Sequence, residues 1–296
     1  MEPNAALRAD MEAKGIDVPL TLRILDDINS GRYDSLKPVE AVGVPPVDGI
    51  SVLDAGPALR VVLPAATARE RLDELGVALR DSGAAEVPGG ALAFDRAALR
   101  ALGLRLLDRC AYGVLNGGSA TSYADSKRNA ALGPGVLEAF RGPFERLAPL
   151  CEGVPKGASP AWLDPDGHPG ASFLTLKARA DLILAAERRA RLGAPARPVL
   201  PLFQMSSVGT DSSLAEHYRS WRASPWIAPL ARAEGVDPSA VRTGVQPLIA
   251  AFTHSSEGKP RRVFDRAWGM ADSALALPGG HGQSFHVLAE VYRGLL

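Results

Sequence analysis

Apolar residues recur at helical spacing in two stretches near the N-terminus, residues 3–14 and 19–30, and each stretch runs into a glycine, Gly15 and Gly31. Such spacing puts one apolar stripe on a helix, and a glycine just past the stripe is a natural stop. The proline-rich run VEAVGVPPVDGISVLDAG interrupts the pattern and predicts loop or extended chain. Residues 67–82 return to amphipathic spacing with Thr67 as an N-cap, and another helix is predicted after Asp95, whose carboxylate can cap RAALRALGLRLLDR. Residues 1–100 therefore read as a mostly helical region without a chemical motif.

The rhythm changes near residue 110. CAYGVLNGG is a short apolar run ending in asparagine and two glycines, which predicts a buried strand feeding a tight loop. Residues 172–193 carry a long helical pattern, RPVLPLFQMSS reads as a strand, and TDSSLAEHYRSW reads as a helix with Thr210 or Asp211 as cap. QPLIAAF (246–252) predicts a further strand, and PGGHGQSFHVLAEVYRGLL a glycine loop opening a helix. Strand–loop–helix units at this spacing imply an α/β fold over residues 101–296, with a parallel or mostly parallel sheet covered by helices. Ligands of such sheets sit outside the carboxyl ends of the strands. Three segments are therefore expected to meet there: the loop after Val114-Leu115, the end of PLFQMSS, and the PGGHG loop.

Composition narrows the partners. Lysine plus arginine equals aspartate plus glutamate at 33 each, so no net field recruits nucleic acid or an anionic membrane, and an anionic ligand must be held by local groups. The N-terminus MEPNAALRADMEAKG is charged throughout and lacks the apolar core of a secretory signal, and no apolar run approaches the ~18 to 20 residues of a membrane span. Two cysteines, Cys110 and Cys151, fit a reducing compartment better than a disulfide framework, which predicts a cytoplasmic enzyme.

Three motifs carry candidate chemistry. In Leu115-Asn116-Gly117-Gly118-Ser119-Ala120-Thr121, adjacent glycines after a strand let the backbone approach a planar base or a phosphate. Backbone N–H groups and the Thr121 hydroxyl can then meet an anion, and Lys127 or the neighbouring Arg128 can neutralise it. An ordinary strand-to-helix turn with a surface lysine accounts equally well for this spacing. Pro278-Gly279-Gly280-His281-Gly282 forces a sharply turned backbone at a helix N-terminus, where negative charge is favoured, although a plain connector is the simpler alternative. At the end of PLFQMSS, Met205 can lie against a flat ring and Ser206 or Ser207 against a ligand; a core methionine before a turn is the plainer account. Asp164-Pro165-Asp166-Gly167-His168 falls short of a calcium loop and reads as a type I turn.

In this order, LNGG…T…K, PLFQMSS and PGGHG resemble the UDP-sugar pyrophosphorylases, which include UTP–glucose-1-phosphate uridylyltransferase and UDP-N-acetylglucosamine pyrophosphorylase; the likeness covers residues 110–296. The resemblance implies a Rossmann-like sheet that binds UTP, with Leu115, Asn116, Gly117, Gly118 and Thr121 around the nucleotide and Lys127 as the catalytic, phosphate-facing lysine. It further implies Met205 near the base, Gly280, His281 and Gly282 closing the pocket, and His254 where the family often has a uracil-reading glutamine. Ser119-Ala120 replaces the usual Leu-Gly, and Lys127 comes early and follows Ser126 rather than proline. The implied reaction is attack of a sugar 1-phosphate on the α-phosphorus of UTP, with Mg2+ countering charge; no sequence feature identifies its carboxylate. Because the family's N-x-D-N stretch does not occur before Leu296, the resemblance also implies a chain that stops short of the metal and sugar sites. A non-catalytic nucleotide- or nucleotide-sugar-binding protein is the alternative from a different class.

Overall fold

The computed structural model describes residues 2–32, 43–48, 52, 56, 59–110, 112–118, 133–193, 203–254 and 260–293. Two short helices open the chain, α1 (Ala5–Ala13) and α2 (Val18–Asn29). Each starts where a carboxamide or carboxylate takes up an orphan amide: Asn4 accepts from Leu7 N at 2.8 Å and Asp17 from Leu20 N at 2.9 Å. Gly15 and Gly31 hold positive φ of 70° and 75° just past the helix ends, the backbone that stops a helix without a Cβ penalty.

The next stretch departs from the expected helical reading. It folds into an antiparallel sheet of order β1-β3-β2, from β1 (Arg60–Pro64), β2 (Ala85–Val87) and β3 (Ala91–Asp95), with α3 (Ala65–Glu74) and α4 (Arg96–Arg105) packed against it. The helix expected over 67–82 begins at Ala65, directly from the strand, and ends at Glu74, because Gly76 turns left-handed at φ 64°. Thr67 therefore caps nothing. Asp95 caps α4 as expected, accepting from Ala98 N at 2.8 Å.

The centre of the molecule is a parallel sheet of order β4-β5-β6: β4 (Gly113–Leu115), β5 (Phe203–Ser207) and β6 (Arg242–Gln246). Between β4 and β5 run α5 (Pro134–Cys151) and α6 (Phe173–Leu192), the latter capped by Ser172 and closed by Gly193 at φ 61°. After β5 come α7 (Asp211–Ser220) and α8 (Ala228–Glu234). Leu174, Ala178 and Leu182 of α6 meet Leu214 and Tyr218 of α7, Trp221, and Ile227 and Ala231 of α8 in one buried cluster beside Val114. The last helix, α9 (Ser284–Arg293), packs on β5 and β6. The protein is thus mixed α/β with a parallel three-stranded sheet.

The strand expected over 246–252 is in fact two half-elements. Pro247 has no N–H for a ladder, so β6 ends at Gln246, and the chain continues as β7 (Leu248–Ala250), antiparallel to β8 (Ala276–Pro278). The third parallel strand is RTGVQ. β7 and β8 close a separate cluster with α1 and α2: Leu7, Met11, Val18 and Leu25 pack with Ala250, Val263 and Ala274. Lys14 Nζ donates to the Ala274 carbonyl at 2.7 Å and pairs with Asp10 at the same distance, pinning α1 to this layer. Among the described residues, no helix is long and apolar enough to cross a membrane.

One buried group works against this fold. Asp181, on the inner face of α6, is 7% exposed, and its Oδ2 has no hydrogen-bond partner among the described residues. Burial pushes its carboxyl from an ordinary 3.8 up to about 6, partly opposed by Lys177. A raised acid pKa means the folded state holds the proton more tightly, so stability falls as pH rises through the interval between the unfolded and folded values. Asp181→Asn is expected to be more stable than the wild type at pH 8 by on the order of 1–2 kcal/mol, because the amide carries no charge to bury. The difference should vanish below about pH 3, where both states are protonated. Urea titrations at the two pH values measure it, and an equal gain at both would mean that charge burial is not the cause.

Candidate functional site

The carboxyl end of the parallel sheet gathers the three segments that the sequence sets apart. Asn116 N donates to Met205 O at 2.8 Å, extending the β4–β5 ladder by one residue before the chain turns into Gly117 and Gly118. Ser207 Oγ, at the end of β5, donates to the Gly117 carbonyl at 2.9 Å. Gln246 Nε2, at the end of β6, donates to the Gly280 carbonyl at 2.8 Å. A Cβ at Gly117 would sit 3.3 Å from Gln246 Oε1 and 3.4 Å from the Ser206 carbonyl, so the glycine lets strand ends and loop close together. At Gly118 a Cβ would meet nothing within 4 Å, and the residue is exposed.

Buried amides hold this end rigid. Gln204, fully buried on the central strand, accepts at Oε1 from Tyr218 Oη at 2.8 Å and from Asn116 Nδ2 at 3.4 Å, and donates from Nε2 to Thr243 Oγ1 at 3.0 Å. All three parallel strands and α7 are tied through one carboxamide. Burial pushes the Tyr218 phenol well above its ordinary range, against a smaller lowering by Asn116, which keeps it protonated as a donor. The turn into α7 is fixed by Ser207 and Thr210, whose hydroxyls lie 2.9 Å apart, and by Ser206 Oγ donating to Asp211 Oδ1 at 2.6 Å. Asp211 in the first helical turn also complements the helix dipole.

Across from it, Gly279 and Gly280 precede the short turn His281–Gln283 that leads into α9. Gly280 has φ 84°, open to glycine alone at ordinary cost, and Gly279 is covered by the Gln283 carboxamide so closely that a Cβ would collide with it. Gln283 Oε1 accepts from Gly279 N at 3.1 Å, while its buried Nε2 has no acceptor among the described residues.

No protein-family model matches this chain, and no curated protein does either. The site therefore stands on its own geometry. Leu115, Gly118, Gly280 and Gly282 are exposed at or beside the sheet end and Gly117 is half-buried there. Asn116 and Met205 are buried at 4% and 1%: the asparagine is spent on Gln204, and the methionine side chain has no open surface for a ring. Lys127, Arg128 and Thr121 lie outside the described residues, as does the His281 side chain.

His254 is not brought to this end. Leu248 pairs with Pro278 beside the glycine loop, and the antiparallel register then carries the chain away through Ala250↔Ala276 to the Phe252↔Val263 bridge. At about 3.3 Å per residue, His254 lies on the order of 20 Å along the chain from Leu248, and it is exposed. The glutamine at the sheet end is Gln246. A polar residue immediately before Pro247 at the end of an extended run was the signal for it.

The remaining candidate is a turn. Among the described residues, Asp164, Asp166 and His168 form the cluster of possible metal ligands, with ligand atoms within 4.8 Å of one another. Asp164 Oδ1 accepts from His168 N at 2.8 Å and Asp164 O from Gly167 N at 3.0 Å, at the tip of a hairpin bridged at Leu163↔Pro169. These bonds are those of a tight turn, and nothing ties the cluster to the sheet end.

Proposed function

We propose that this chain binds UTP at the carboxyl end of its parallel sheet and acts as a uridylyltransferase, forming a UDP-sugar and pyrophosphate from UTP and a sugar 1-phosphate. The observation that carries this reading is the meeting of Gly117-Gly118, Ser206-Ser207 and Gly279-Gly280 at one sheet end, through the Ser207–Gly117 and Gln246–Gly280 hydrogen bonds. On this reading the sheet is part of a Rossmann-like layer. The base lies across Gly117 and Gly118, where no side chain intervenes, and the carboxamides of Gln246 and Gln283 supply polar edges. On this reading Thr121 and Lys127 are the residues that meet the phosphates.

The chemistry asks mainly for position and charge. An oxygen of the sugar phosphate forms a bond to the α-phosphorus of UTP, the bridging bond to the β-phosphate breaks, and its electron pair leaves with pyrophosphate. Backbone N–H groups beside the glycines orient the triphosphate, and Lys127 counters the charge that builds on the leaving oxygen. Mg2+ suits one or two carboxylates together with phosphate oxygens and water. Asp211 fits that demand as the carboxylate hydrogen-bonded to Ser206 at the end of β5, and the ion would supply further neutralisation there.

Calorimetric titration of the purified chain with UTP in the presence of Mg2+, with ATP as control, tests the reading. UTP is expected to bind at least about tenfold more tightly than ATP, about 1.4 kcal/mol. A folded chain that binds neither nucleotide would overturn it.

A further inference from the structure

A cleft of about 470 Å3 opens between α2, α9 and the end of β6, flanked by Val245 and Pro247 on either side of Gln246. Three of its lining side chains are basic in type: Arg23 on α2, and His286 and Arg293 on α9. All three are exposed. Neither arginine has an ion-pair partner among the described residues, whereas Arg8, Arg100, Arg188, Arg189 and Arg222 each pair with an acid. The cleft also holds one acid, Asp17, whose Oδ1 caps α2 by accepting from Leu20 N at 2.9 Å, so cationic side chains outnumber it two arginines to one. Apolar side chains of Leu20, Val245 and Val287 form the wall between the charges.

We infer that this cleft is a site for a phosphomonoester of a small organic molecule, with the phosphate held by Arg23 and Arg293 and the body against the apolar wall. Guanidinium forks match phosphate oxygens two at a time, and two of them facing one cavity supply directional charge that the neutral chain as a whole does not. The volume falls within the range of pockets that enclose small molecules, roughly 300–1,000 Å3. Val245 and Pro247 line this cleft, whereas the Gln246 side chain between them turns to the Gly280 loop, so the cleft is separate from the glycine end of the sheet.

The test is a set of titrations of the full chain with glucose 1-phosphate, inorganic phosphate, glucose and UTP, repeated on Arg23→Ala, Arg293→Ala and the double variant. Both arginines are exposed, so the variants are expected to melt as the wild type does. Glucose 1-phosphate should bind and be displaced by inorganic phosphate, and each single variant should weaken it at least about tenfold while UTP affinity stays unchanged. Binding of UTP without glucose 1-phosphate overturns the phosphate site and leaves the nucleotide reading standing. Binding of glucose 1-phosphate without UTP, lost in the double variant, supports the site and removes the reading. Affinity unaltered by the variants, or glucose binding as well as its phosphate, overturns the inference.

Discussion

Gly118→Arg is expected to weaken UTP binding by at least about 100-fold, about 2.7 kcal/mol, while the chain melts as the wild type does. The position allows this separation. Among the described residues a Cβ at Gly118 meets nothing within 4 Å, the residue is exposed, and it is not among the glycines with positive φ, so the backbone accepts a side chain there. Its carbonyl already accepts from Lys156 N at 3.0 Å, and that bond survives the substitution. The arginine side chain would fill the space beside Gly117 that the proposed base requires. Gly117→Ala is the informative neighbour: its methyl would press on Gln246 Oε1 at 3.3 Å and the Ser206 carbonyl at 3.4 Å, so some stability should be lost along with affinity. Titration calorimetry and a thermal melt on both variants check this. If Gly118→Arg binds UTP as the wild type does, the nucleotide does not lie over the glycine pair.

What the sequence made legible follows from where the information is local. The long helix α6 was readable because its apolar spacing, its Ser172 cap and its Gly193 stop all lie within the segment itself. So was the meeting of the two glycine loops with the end of PLFQMSS, since a parallel sheet places every strand's carboxyl end on one side. The antiparallel sheet of residues 60–95 was passed over because RVVLP and ALAFD are only five residues each; the Gly89-Gly90 pair, both with positive φ, was the one local sign of a hairpin there. RTGVQ was missed for a different reason. Among the described residues it is paired along one side only, and it carries exposed Arg242 and Thr243, so it lacks the apolar signature that QPLIAAF has. The role of α1 and α2 was illegible in principle, because the layer they cover, including Ala250 and Ala274, lies more than 220 residues further along the chain.

The approach of the glycine loops to the sheet end was legible in outline and its polar detail was not. Glycines announce close approach, and Gly117, Gly279 and Gly280 each turn out to sit where a Cβ would crowd a neighbour or the backbone is left-handed. The residues that make the end rigid are amides whose partners are distant in sequence: Gln204 reaches Asn116 and Thr243, and Gln246 reaches Gly280. A glutamine inside an apolar central strand signals that such a network exists, since an unpaired buried amide is costly, but it does not say with whom. Position relative to Gln246 also explains why His254 misleads. Counting along the sequence assumes that the strand continues toward the ligand, whereas Pro247 ends the parallel sheet and β7 runs away from it.

Trp221→Ala should cost about 3–5 kcal/mol, at the upper end of what a single substitution removes. The indole is 1% exposed at the centre of the cluster that joins α6, α7 and α8, and it meets the Tyr218 ring edge-on with centroids 4.7 Å apart. Its Nε1 donates to Thr175 Oγ1 at 3.0 Å, and the same hydroxyl lies 2.9 Å from Ser172 Oγ, the cap of α6. Truncation therefore leaves a cavity and removes one partner of a buried hydroxyl chain. Domains of this kind are stable by roughly 5–15 kcal/mol, so the variant is expected to sit near the edge of folding at body temperature. Trp221→Phe separates the two contributions: it keeps most of the ring and loses the N–H, so about 1–2 kcal/mol should go. Because Tyr218 and Asp211 stand on the same helix, loss of the indole also loosens the grip on Gln204 and Ser206, and UTP affinity should fall in step with the folded fraction rather than independently of it. Urea unfolding followed by circular dichroism measures the stability change. A loss below about 1 kcal/mol for the alanine variant would show that α6, α7 and α8 do not depend on this cluster to hold the parallel sheet.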